Sequence, residues 1–208
     1  SRIPIRETEL RETALDSRGT PELDLTSAEL KSDDVALVAQ LLVRGFMAVI
    51  ARLSLGSNPQ IGDEAMVQLL DALKDVSLTS LDISSTGCGI STASKLAELL
   101  SGATKFSAAV ADLNISEAVI GDAGATLVEA ISASSSLEFI TIGKGLRLPL
   151  KDNYDSDVLD ATDTGIEAGG ATVIAWWLTV LLSQNCLGGR TVTFAADAVQ
   201  IDAPVLGC

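Results

Sequence analysis

The chain is expected to fold as an α/β array of repeated strand–helix units. Three features of the sequence point there. A short apolar-x-apolar triplet returns at Leu23-Asp24-Leu25, Leu53-Ser54-Leu55, Leu81-Asp82-Ile83, Leu113-Asn114-Ile115 and Ile140-Thr141-Ile142, at spacings of 30, 28, 32 and 27 residues. Each triplet has the same sequel: an aliphatic residue, a small or acidic turn, then a helical apolar pattern. The apolar content is also aliphatic, since 47% of the 208 residues are hydrophobic and only 3% aromatic. Period-two and period-3.6 segments alternating at a fixed interval mark units that bury one face each and close their core by stacking. One domain over 1–208 is expected, with 1–20 an irregular lead-in, 143–157 an inserted loop or a short extra strand pair, and 190–208 a degenerate C-terminal cap.

The triplets are read as strands and the sequels as helix starts. In order, the latter are Leu30-Lys31-Ser32-Asp33-Asp34, Ile61-Gly62-Asp63-Glu64-Ala65, Ile90-Ser91-Thr92-Ala93, Ile120-Gly121-Asp122-Ala123-Gly124 and Ile166-Glu167-Ala168-Gly169-Gly170. Gly and Asp supply the turn and the helix N-cap, and acidic pairs such as Asp33/Asp34 and Asp63/Glu64 suit the positive helix end. Met66, Leu69, Leu70 and Leu73 then repeat at helical spacing. Weaker triplets at Leu159-Asp160-Ala161 and Val192-Thr193-Phe194 bring the count to about seven units. Ile3-Pro4-Ile5-Arg6 echoes Leu148-Pro149-Leu150-Lys151, as an internal duplication leaves behind.

The pattern resembles the ribonuclease-inhibitor type of leucine-rich repeat. Leu53-Ser54-Leu55-Gly56-Ser57-Asn58-Pro59-Gln60-Ile61-Gly62-Asp63-Glu64-Ala65 is similar, almost position by position, to that family's L-x-L-x-x-N-x-I-G-D-E-G-A. The likeness covers roughly residues 20–200. Thr86 and Ala118 stand where the family has asparagine, which puts the regularity of those turns in question. The resemblance implies a curved, right-handed solenoid of about seven units, with parallel strands on the concave side and helices on the convex side. It also implies two rival roles: a free adaptor or inhibitor gripping its target in the concave bowl, or a regulator of a GTPase.

Composition narrows the chemistry. Fourteen Lys and Arg stand against 28 Asp and Glu, a net charge of −14, with a sequence pI near 4.2 and a mean hydropathy of +0.37. A chain this acidic does not bind nucleic acid by neutralising phosphates, and one this apolar is not intrinsically disordered. The absence of histidine removes Ser-His-Asp and Cys-His nucleophiles and His-ligated metals. Cys88, Cys186 and Cys208 form neither a disulfide framework nor a zinc pattern and read as idle or buried thiols. No phosphate-binding glycine loop is present, and Asp152, Asp155 and Asp157 lack EF-hand spacing. Asn114-Ile115-Ser116 spells a glycosylation sequon but falls inside an expected strand. The acidic pairs read as caps and not as acid–base partners. No catalytic residue, cofactor or metal is assigned, and the chain is read as a non-enzyme.

Two surfaces are candidates for a protein partner. Residues 168–189 carry no charge, between Glu167 and Arg190. That is long enough for a membrane span, but Gly169-Gly170, Ser183-Gln184-Asn185 and Gly188-Gly189 break the apolar run, and a core helix is favoured. With Ile166, Ala171, Ile174, Ala175 and Leu178 toward the core, Val173, Trp176, Trp177 and Val180 fall on the outer face. An apolar outer face with both tryptophans suggests docking on a larger assembly, soluble or membrane-bound, as an accessory subunit, with peripheral membrane contact as one form of it. The rival surface is the strand face turned from the helices: Glu22, Asp24, Thr26, Arg52, Ser54, Ser80, Asp82, Ser84, Asp112, Asn114, Ser116, Phe139 and Thr141. Ser1 opens the chain and residues 1–20 stay polar, so the compartment is left open among cytoplasmic and organellar settings, the chloroplast included.

Overall fold

The computed structural model describes residues 14–15, 19–44, 50–151 and 164–184. They form an open α/β arrangement around one sheet of seven strands in strict chain order. The strands are β1 (Ala14–Leu15), β2 (Pro21–Asp24), β3 (Arg52–Ser54), β4 (Ser80–Asp82), β5 (Asp112–Asn114), β6 (Phe139–Ile142) and β7 (Leu146–Pro149). The helices are α1 (Ser32–Val43), α2 (Asp63–Leu73), α3 (Ile90–Ser101), the short α4 (Lys105–Ala109), α5 (Gly124–Ala133) and α6 (Ala168–Gln184), with a 3-10 turn at Gly121–Ala123 leading into α5.

The five strong triplets lie side by side. β2 to β6 are parallel neighbours, and Leu23, Leu53, Leu81, Leu113 and Ile140 stand in one register. Because side chains alternate across a strand, this register aligns all five on one face, where all are buried. The third residue of each triplet continues the ladder: the amides of Leu25, Leu55, Ile83 and Ile115 donate to the carbonyls of Ser54, Asp82, Asn114 and Thr141 at 2.8–2.9 Å. Two residues on, Ser27, Ser57, Ser85 and Glu117 all adopt φ between 52° and 62°, so four turns share one left-handed residue without glycine.

Neighbouring units are tied by side chains that cross between them. The buried Asn58 accepts from the Leu30 amide at 2.9 Å and donates to the carbonyls of Leu25 at 2.9 Å and Leu55 at 2.7 Å. Thr86, at the equivalent place, reaches the Ile83 carbonyl at 2.6 Å and the Cys88 sulfur at 3.0 Å, both within its own unit. The backbone bonds at the turn entries nevertheless repeat: the amides of Ser27, Ser57, Ser85 and Glu117 donate to the carbonyls of Gly56, Ser84, Ser116 and Gly143. Thr86 and Ala118 therefore lack the brace that Asn58 supplies, while their turns keep the same left-handed residue, at Ser85 and Glu117.

The stretch 143–157 is in part a strand. Gly143, Lys144 and Gly145 turn the chain, and β7 runs back antiparallel to β6 with Phe139 opposite Pro149 and Thr141 opposite Arg147. At the other end β1 lies antiparallel to β2. The weak triplets at 159–161 and 192–194, residues 3–6, the aspartates at 152, 155 and 157, the cap at 190–208, Cys186 and Cys208 lie outside the described residues.

Candidate binding surface

The sheet face turned away from the core presents two rows fixed by register. One runs Glu22, Arg52, Ser80, Asp112, Phe139, Pro149; the other runs Asp24, Ser54, Asp82, Asn114, Thr141, Arg147. Strand spacing of about 4.8 Å separates successive members. Of the thirteen residues expected on this face, Glu22, Asp24, Arg52, Asp82, Asp112, Asn114 and Phe139 are brought together there, each partly or fully exposed. Ser116 and Thr141 are buried and contribute little.

Charges on the face are partly settled by the chain's own arginines. Arg52 Nε lies 3.5 Å from Glu22 on the adjacent strand. Arg147 spans β6 to reach Asp112 Oδ2 at 2.7 Å, and its guanidinium stacks 3.9 Å over the Phe139 ring. Asp24 and Asp82 hold only backbone amides, those of Thr26 and Ser84, each at 2.9 Å. Arg147 was not foreseen as part of this surface. The signal was present in the tight Gly-Lys-Gly turn followed by the alternation Leu146-Arg147-Leu148-Pro149, which fits the extra strand pair and puts Arg147 on this face.

The facing of α6 differs from expectation. Val173 is fully buried and Trp177 is only 2% exposed, while Ala171 and Ala175, expected inside, are exposed. Two contacts set the rotation. The Trp177 indole N–H donates to the Pro149 carbonyl at 2.6 Å, tying the helix to β7. Near its start, α6 meets the 3-10 turn backbone to backbone: a Cβ on Gly169 would lie 2.5 Å from the Gly121 carbonyl oxygen. The apolar stripe is thus Gly169, Val173 and Trp177, and it covers the end of the array. Trp176 and Val180 remain partly buried.

Acidic helix starts serve neighbours as well as their own helices. Asp63, first residue of α2, accepts from the amides of Gly89 at 3.0 Å, Ser91 at 3.1 Å and Thr92 at 2.8 Å, and from the Thr92 hydroxyl. Burial pushes its pKa up, but these four donors outweigh that and hold it at about 2, well below the usual 3.8. Glu167 likewise accepts from the amides of Ile120 and Gly121, each at 3.1 Å. Cys88 is buried, and desolvation raises its pKa despite a 3.0 Å contact with the Thr86 hydroxyl, which makes it a poor nucleophile. No cluster of three His, Cys, Asp or Glu suited to a metal occurs among the described residues, and no described helix is long and apolar enough to cross a membrane. No protein-family model matches the chain, and no curated protein matches it significantly.

Proposed function

We propose that the chain is a non-catalytic protein-binding module, built as a leucine-rich-repeat solenoid of the ribonuclease-inhibitor type, whose concave strand face holds the partner. One observation carries this reading: two straight rows of polar side chains stand at strand spacing across five parallel strands, ending in Phe139 under Arg147. Aromatic and arginine side chains are the types enriched where interfaces bind most tightly. The in-register Leu ladder, the shared left-handed turn residue and the Asn58 brace support the solenoid part of the reading.

Docking through α6 loses support from its facing. Val173 and Trp177 are buried within the chain itself, and Ala171, Thr172, Ala175 and Thr179 are what the helix shows outward. A photo-crosslinking residue placed at Ser54 or Ser80, and in parallel at Gln68 or Glu98 on the helix side, separates the two in an extract of the native source. Adducts from the strand positions alone are expected. Adducts from the helix positions alone would overturn the assignment of the face.

A further inference from the structure

We draw no further inference here: the strongest candidate, the groove between the C-terminal halves of α1 and α2, lined by Ala36, Ala39, Ala72 and Val76 beside the exposed Val43, is an apolar surface, and nothing among the described residues shows what covers it.

Discussion

Arg147 lies flat over Phe139, its guanidinium 3.9 Å from the ring centroid, while one nitrogen reaches Asp112 at 2.7 Å. One side chain from β7 thus bridges two strands that precede it and fastens the antiparallel hairpin across the parallel sheet. Arg147→Ala is expected to destabilise the fold by about 1 kcal/mol, summing a stacked cation and an exposed ion pair. Arg147→Lys should recover under half of that, because an ammonium keeps charge but loses the planar contact. Urea unfolding of the three proteins measures this, and equal stability of Lys and wild-type forms would show that stacking contributes nothing.

The Asp63 carboxylate caps the start of α3 from the neighbouring helix, which gives acid stability a defined direction. Its pKa is about 2 when folded and 3.8 when free. A depressed carboxyl stabilises fully above the unfolded value and loses its contribution as pH falls toward the folded one. Asp63→Ala is expected to cost about 1–2 kcal/mol at neutral pH, as loss of a multiply bonded cap does. The stability gap between variant and wild type should then close between pH 4 and pH 2. A gap that persists at pH 2 would assign the loss to packing.

The repeat was legible because register and period act in every unit: five Leu-or-Ile triplets and their helix starts fix which residues pair. The strand-face residues Glu22, Asp24, Arg52, Asp82, Asp112, Asn114 and Phe139 followed from alternation alone. The phase of α6 did not. In a helix with no charged residue, hydropathy marks no outside, and the rotation was decided by two contacts distant in sequence, Trp177 with Pro149 and Gly169 with Gly121. Asp63 capping its neighbour was likewise hidden, since a helix-start acid looks the same whether it serves its own helix or the next.

Asn58 should be the costliest polar side chain to remove. Its amide and carbonyl satisfy the Leu30 amide and the Leu25 and Leu55 carbonyls in a site closed to water. Asn58→Ala leaves those groups without a partner, at about 2–3 kcal/mol, whereas Thr86→Ala removes one bond to a carbonyl and a weak contact to the Cys88 thiol and should cost about 1 kcal/mol. Chemical denaturation ranks them, and the reverse order would mean that the brace between units lies elsewhere.

Gly169 and Gly124 let α6 touch the preceding turn without side chains between them. A Cβ on Gly169 would stand 2.5 Å and 2.6 Å from the Gly121 oxygen and nitrogen, and one on Gly124 would stand 2.8 Å from the Gly169 oxygen. Neither neighbour is a flexible side-chain end, so relief requires α6 to move as a body. Gly169→Ala is expected to destabilise by about 1–3 kcal/mol, and Gly170→Ala by less, since its new methyl meets no backbone and only the Ile166 side chain, its Cγ2 at 3.1 Å. Trp176 and Trp177 are the only tryptophans in the chain, so their emission reports the same displacement. Trp177, buried and bonded to Pro149 in the wild type, should resist iodide quenching there and become accessible in Gly169→Ala while staying protected in Gly170→Ala. If Gly169→Ala left both stability and quenching unchanged, the backbone contact would have no part in setting the rotation that buries Val173 and Trp177.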